Sequence, residues 1–137
     1  MFFKKNKIDG EKSDLAKVAA LMIYAAKIDE NYSKQEEEII KEALQKIDPN
    51  NKDIQDIIKK GKEIEENANQ ILDFTKEIKN MDENKKVEII KSLWKIIYSN
   101  KDADMYETNL MRRLSGLLYI DSKTMGDIKE EIKKEIT

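Results

Sequence analysis

The sequence contains no cysteine and no histidine. The absence of cysteine excludes disulfides, thiolate zinc sites and cysteine nucleophiles. The absence of histidine removes the commonest general base and the usual side-chain ligand of transition metals. A metal site in this chain would therefore be built from oxygen atoms, which favours calcium, magnesium or manganese over zinc or copper.

Residues that interrupt helices are also scarce, with one proline and four glycines among 137 residues. The length suits one domain, and the 39% of charged residues matches the 39% of hydrophobic ones, which is typical of a helical protein with charged outer faces. Net charge is only −2, and Lys and Glu alternate as in "EEEIIKEALQK". This alternation predicts solvated helix surface, and no basic block is long enough to follow a phosphate backbone, so we expect no nucleic-acid partner.

Long apolar segments are missing as well. The start "MFFKKNK" is not followed by an apolar leader region, and no run of 18 apolar residues occurs. We therefore expect a cytoplasmic protein with no stable membrane insertion. Residues 1–12 are predicted to be a frayed N-terminal segment and residues 13–137 a single helical domain. The composition does not favour a particular oligomeric state.

Apolar residues recur at helical spacing almost throughout, and no stretch alternates like a strand. The pattern predicts an all-α fold of about seven helices, the fourth of them short. The first residues or caps of these helices are predicted, in chain order, at Ser13 or Asp14, Ser33, Asn51, Ile71, Asp82, Asp104 and Ser122.

An internal repeat underlies this pattern. Ser33 and Asp104 are 71 residues apart, and the same offset aligns three consecutive helices, with Val18 opposite Ile89 and the predicted caps Asn51 and Ser122 opposite each other. We therefore predict a pseudo-two-fold bundle of two three-helix units joined by the short fourth helix. The shared core is predicted to contain Met22, Ile40, Leu93, Trp94 and Leu114.

The repeat also aligns two polar turns, "IDENYSKQE" and "SNKDADMYE". Both end in the spacing of a capping box, Ser33 with Glu36 and Asp104 with Glu107. Oxygen-bearing side chains alternate ahead of the second cap as in an EF-hand, although Met105 and Met111 replace the glycine and the closing glutamate of that loop. Two interpretations stay open: helix capping alone, or capping combined with a cation site.

The same stretches resemble the tellurite-resistance TerB-like family, from about Asp14 to Ile132. The resemblance is carried by Asp29 and Glu36 in the first copy and, in the second copy, by Leu93, Trp94, Tyr98, Asp102, Asp104, Tyr106 and Glu107. It implies an all-helical, acidic, metal-binding module linked to tellurite and stress responses. The metal ligands are then expected to be Asp29, Glu36, Asn100, Asp102, Asp104 and Glu107.

Several positions depart from the family pattern. Glu30 and Lys101 replace the flexible glycines of the turns, Asn100 replaces an aspartate, and Tyr24 stands where an acidic residue is expected. Each change removes negative charge or flexibility, so a metal site in this chain is expected to be weaker than is usual for the family.

The leading functional hypothesis is a non-catalytic binding module that responds to calcium in a tellurite-resistance or stress-response system. Calcium fits best because it accepts carboxylate and amide oxygens in flexible geometry. The alternative is a structural or protein-interaction domain without a metal site, which binds an unidentified protein partner. Its interaction face would contain Met105, Tyr106, Met111, Tyr119 and Met125, whereas the favoured interpretation of the same residues is that they occupy ordinary core and boundary positions. An enzyme is the least favoured class, because no nucleophile motif or phosphate loop is present.

Overall fold

The computed structural model describes the backbone of residues 2–27, 34–99 and 105–136, and the side chains of residues 14–27, 34–99 and 109–135. Within these ranges the chain forms seven helices and no strand, which confirms the predicted all-α class. The helices are α1 (Phe2–Lys27), α2 (Lys34–Ile47), α3 (Ile54–Asn67), α4 (Leu72–Ile78), α5 (Glu83–Ser99), α6 (Met105–Leu117) and α7 (Ser122–Ile136).

Most helix starts agree with the predicted ones, but the first does not. α1 begins at Phe2 and not after a cap at Ser13 or Asp14. The residues before Ser13 contain one glycine and no proline, so nothing in them stops a helix that is already formed from extending toward the N-terminus. A residue that can cap a helix does not by itself force the helix to begin there.

Two predicted caps are also wrong. The Asn51 side chain accepts a hydrogen bond from the Asp53 amide at 2.7 Å, which forms an Asx turn ahead of α3 instead of capping it. At α7 the cap is Asp121, whose Oδ1 accepts from the Thr124 amide at 2.7 Å, while Ser122 is the first helical residue. The third helices of the two units therefore do not begin at equivalent positions of the repeat.

α1 forms the centre of the bundle. From Leu15 to Ala26 nearly every side chain is apolar and buried, on all sides of the helix. A helix with this pattern must be surrounded by other elements, and α1 indeed packs against α2, α3, α4 and α5. Its closest partner is α3, where Gly61 lies against Ala16 and Ala19.

The predicted shared core is confirmed, since Met22, Ile40, Leu93, Trp94 and Leu114 are all buried, with Trp94 the most exposed of them at 4%. α5 is the second central helix and packs against α1, α2 and α7. The first helix of each predicted unit thus packs on the third, α1 on α3 and α5 on α7. The pseudo-two-fold relation between the units stays a prediction. Within the described residues, no helix combines the length and apolar character needed to cross a bilayer.

Candidate functional site

The two polar turns connect the central helices to their successors. The first follows Lys27 and precedes Lys34, and the second follows Ser99 and precedes Met105. Most of the predicted ligands lie outside the residues that the structure describes, namely Asp29, Asn100, Asp102 and Asp104.

The remaining two predicted ligands occupy equivalent helical positions. Glu36 is the third residue of α2, and Glu107 is the third residue of α6, of which only the backbone is described. Ser33 and Asp104 thus immediately precede their helices, at the positions that a capping box requires. The helix boundaries therefore agree with the predicted capping arrangement, while the side-chain bonds of both caps fall on residues outside the described ranges.

Glu36 differs from an ordinary capping glutamate in its burial. Only 4% of its surface is exposed, although it lies in the first turn of a charged helix. The neighbouring Glu37 reaches α3 and forms an ion pair with Lys62, with the Glu37 Oε1 atom 3.2 Å from the Lys62 Nζ atom. Glu36 is thus turned into the bundle while the next carboxylate pairs near the surface.

The end of α3 lies beside the end of α1. Lys27, the last residue of α1, forms an ion pair with Glu65 near the end of α3, with 3.3 Å between the Lys27 Nζ and Glu65 Oε1 atoms. Because Gly61 contacts Ala16 and Ala19 further back on α1, the two helices run in the same general direction. Their C-terminal ends therefore lie at the same end of the bundle.

The described side chains do not form a metal site by themselves. Among residues 14–27, 34–99 and 109–135, no group of three or more acidic side chains is arranged to hold a metal ion. A site with Glu36 as a ligand would therefore need donors from one or both polar turns.

Two residues of the predicted interaction face are buried. Met111 and Met125 are buried, with 1% and 8% of their surfaces exposed, so neither is available to a partner and that part of the prediction is wrong. Both methionines fall on the core-facing side of their helices, where a flexible side chain fills irregular space. Tyr119 is exposed, as predicted, and the side chains of Met105 and Tyr106 lie outside the described ranges.

Trp94 and Tyr98 form an aromatic pair on α5. Their rings are stacked at a centroid distance of 5.7 Å, and the Lys129 Nζ atom lies 5.4 Å from the centroid of the Trp94 ring. Burial, together with the negative charge of Glu130, raises the pKa of the Tyr98 phenol. Trp94 thus contacts α7 through Lys129 and packs on Tyr98 within α5, which gives a structural role to two residues that carry the family resemblance.

Lys86 is a buried side chain that sequence patterning did not single out. It is 6% exposed, and its Nζ atom donates to the Leu118 carbonyl at 3.1 Å and to the Lys79 carbonyl at 3.4 Å. The ammonium group thereby satisfies the carbonyl groups of the residues that follow α4 and α6, where the negative ends of the helix dipoles favour a cation. The available signal was its place in the repeat, where Lys86 lies opposite the core residue Leu15.

Comparison with known proteins gives one clear relationship. The family model described as Tellurite resistance protein TerB matches residues 15–130, which include every described helix except the N-terminal part of α1 and the last turns of α7. Comparisons with curated proteins and with solved structures gave no match. The match spans most of the chain and both polar turns, in agreement with the resemblance seen in the sequence. The chain therefore belongs to the TerB family and is a helical domain of the tellurite-resistance type.

Proposed function

We propose that this domain is a non-catalytic binding module that responds to calcium in a cytoplasmic tellurite-resistance or stress-response system. The proposed cation site joins Glu36 and Glu107 to the polar turns, through Asp29, Asn100, Asp102 and Asp104. The observation that carries the proposal is the burial of Glu36, with 4% of its surface exposed at the start of α2.

A buried carboxylate is stable only in a favourable electrostatic environment. An ionised side chain that loses its water is strongly destabilised unless a counter-charge, a metal or several hydrogen bonds replace the water. The N-terminus of α2 provides part of this, worth about 0.3–1 kcal/mol for a nearby carboxylate. Glu36 also interacts with other groups of the protein, and a divalent cation shared with the aspartates of the adjoining turns would add a full counter-charge to these interactions.

Calcium is favoured over other cations by the donor set. All six proposed ligands are carboxylates or a carboxamide, and calcium accepts 6–8 such oxygens in flexible geometry. Asn100 lowers the charge of the second turn relative to the family pattern, and neither turn keeps its glycine. Affinity is therefore expected at about the millimolar end of the calcium range.

The competing function is that of an interaction domain in which the turns only cap helices. The observation in its favour is the placement of Ser33 and Asp104 directly before α2 and α6, each with a glutamate at the third helical position. Either glutamate or glutamine completes a capping box. The substitution Glu36→Gln therefore separates the two functions, because it preserves a cap and removes a charged metal ligand.

The test is thermal unfolding with and without calcium. With a dissociation constant of about 1 mM, roughly 10 mM calcium stabilises the native state by about 1.4 kcal/mol, which corresponds to a rise in Tm of about 5 °C. Asp102→Asn and Glu36→Gln are expected to abolish this rise, whereas Asp127→Asn, an exposed aspartate on α7, should leave it unchanged. Magnesium at the same concentration controls for general charge screening.

Two outcomes contradict the calcium proposal. If calcium raises Tm equally in the native protein and in Asp102→Asn, the ion binds elsewhere. If calcium has no effect on any variant while Asp104→Ala lowers Tm by itself, the turns serve as caps alone.

A further inference from the structure

A groove of about 340 Å³ lies between α4 and the C-terminal end of α6. Among the described residues, two large hydrophobic side chains are exposed, Leu72 at 43% and Tyr119 at 70%, and both line this groove. Leu117 adds a half-buried apolar side chain to the lining. Single exposed apolar residues are ordinary, but the convergence of both on one concave surface indicates a contact site.

The backbone at Tyr119 adds a second observation. Tyr119 has φ 57°, in the left-handed region, where it ends α6. The Ile120 amide donates to the Ser115 carbonyl at 2.9 Å, and the Tyr119 amide donates to the Gly116 carbonyl at 3.3 Å, which is the hydrogen-bond pattern of a Schellman motif. Glycine is the favoured residue at this position, and a tyrosine there is disfavoured by the contact of its Cβ with the backbone. Since its ring is mostly exposed, packing does not compensate for the strain.

The buried Lys86 side chain connects the two helix ends that form the groove. Its Nζ atom donates to the Lys79 carbonyl at the end of α4 and to the Leu118 carbonyl at the end of α6. One buried cation thus joins the two helix ends that form the groove. The groove is therefore preorganised, which reduces the entropy lost when a ligand binds.

The charge around the groove is positive. Lys76 and Lys79 line it, and the Lys79 Nζ atom lies 5.9 Å from the centroid of the Tyr119 ring. Exposed Arg113 precedes Leu117 by four residues, so it lies on the same face of α6. None of the described lining residues is acidic.

The nearest carboxylates of α4 have other partners. The Asp73 carboxylate accepts hydrogen bonds from the Asn69 and Gln70 amides, and Glu77 forms an ion pair with Lys17. Both carboxylates keep their charge and so weaken the positive field of the groove, but their oxygen atoms are held by backbone amides and by Lys17, and neither residue lines the groove.

We propose that this groove binds an acidic peptide segment of a partner protein. An aromatic or aliphatic side chain of the segment packs between Leu72 and Tyr119, and carboxylates beside it pair with Lys76 and Lys79. An apolar centre with a charged rim is the usual composition of a protein contact, with tyrosine among its most frequent anchors. A nucleic acid is disfavoured because the lining is mainly apolar and offers few cations. This site goes beyond the calcium proposal and does not depend on it.

The test uses synthetic ten-residue peptides and ¹⁵N-labelled full-length protein. The main probe has one phenylalanine flanked by glutamates, and matched peptides replace the phenylalanine by alanine or the glutamates by lysines. The acidic phenylalanine peptide is expected to shift the amide resonances of Leu72, Gly116 and Tyr119, and to bind about tenfold more tightly than either matched peptide. Its affinity should fall as salt is raised.

The decisive variant is Tyr119→Gly. Glycine relieves the left-handed backbone, so this variant should unfold at a higher temperature than the native protein, yet it should bind the peptide about tenfold more weakly. A purely structural role for Tyr119 cannot produce both changes. Lys76→Glu with Lys79→Glu should weaken binding about tenfold or more, whereas Lys52→Glu with Lys59→Glu, the same charge change at exposed positions distant in sequence, should not.

Several results would overturn the proposal. These are the absence of resonance shifts at millimolar peptide, shifts that map away from the groove, or equal binding by Tyr119→Gly. Preferential binding of a single-stranded oligonucleotide or of anionic lipid vesicles would assign the groove to another class of ligand. Shifts of the same resonances on dilution of the protein alone would assign it to self-association.

Discussion

Gly61 occupies a position in the α1–α3 interface where a methyl group has no room. A Cβ atom added there would lie 2.7 Å from the Ala19 Cβ atom and 3.1 Å from the Ala16 carbonyl oxygen. Carbon atoms in contact are normally about 3.5–4.0 Å apart, so Gly61→Ala requires the two helices to separate by about 1 Å. The neighbouring atoms belong to the backbone and the shortest side chain of α1, and neither can move aside by rotation.

The expected net effect of Gly61→Ala is a loss of stability. Alanine favours the helix over glycine by about 1 kcal/mol. Forcing apart a tightly packed interface costs about 3 kcal/mol, the upper end for an added methylene group, because α1 is surrounded by other helices and cannot shift freely. The difference is about 2 kcal/mol of destabilisation, which lowers Tm by about 7 °C in a domain of this size.

Gly126→Ala is the matched control, since Gly126 lies within α7 and an added Cβ would have no neighbour within 4 Å. This variant should gain about 1 kcal/mol from helix propensity alone. Urea unfolding followed by circular dichroism measures both free energies of unfolding. If Gly61→Ala is as stable as Gly126→Ala, the close approach of α1 and α3 described here is wrong.

Three further predictions concern packing, pH and symmetry. The emission of Trp94, which is 4% exposed, should be blue-shifted in the native protein and move to longer wavelength in urea; a native maximum like that of tryptophan in water would contradict its burial. Burial raises the pKa of Glu77, but the hydrogen bond and the positive charge of Lys17 outweigh burial and hold the pKa below its usual 4.5. The ion pair therefore stabilises the native state above pH 4.5. This stabilisation is lost as the pH falls through the lowered pKa of the folded state. Glu77→Gln should therefore lower stability at pH 7 by about 0.5 kcal/mol after allowance for solvent screening, and this loss should shrink as the pH falls through the lowered pKa of Glu77; an equal loss at neutral and acid pH would exclude the ion pair as the cause. In a crystal structure of the whole chain, residues 15–65 should superpose on residues 86–136 with the two polar turns equivalent, and a better fit at another offset would refute the repeat.

Local features of the fold could be predicted from the sequence because they depend on neighbours along the chain. The start of α2 after Ser33 and of α6 after Asp104 follows from polar residues at helix ends and from the apolar period that begins there. The helix class and the buried faces were predictable for the same reason, since an apolar stripe at helical spacing must pack against something. The cap of α7 at Asp121 was missed because Asp121 and Ser122 are both good caps and are adjacent.

Contacts between distant segments could not be predicted in this way. The sequence of α1 shows that most of its residues after Asp14 are apolar. Whether all sides of the helix are buried depends on where α2, α3, α4 and α5 pack. The sequence left Met111 and Met125 open between a core position and an interaction face because methionine suits both, and only their surroundings decide between the two.

The groove between α4 and α6 likewise combines local features that the sequence predicts with long-range contacts that only the fold creates. The sequence by itself determined that Lys76 and Lys79 lie on one short helix and that Tyr119 follows another, since each statement concerns residues within a few positions of one another. Only the tertiary structure brought Leu72 beside Tyr119, placed Lys86 beneath both helix ends, and left the tyrosine exposed in a left-handed conformation. These relations depend on how the chain folds back over tens of residues, and helical periodicity carries no information about contacts at that separation.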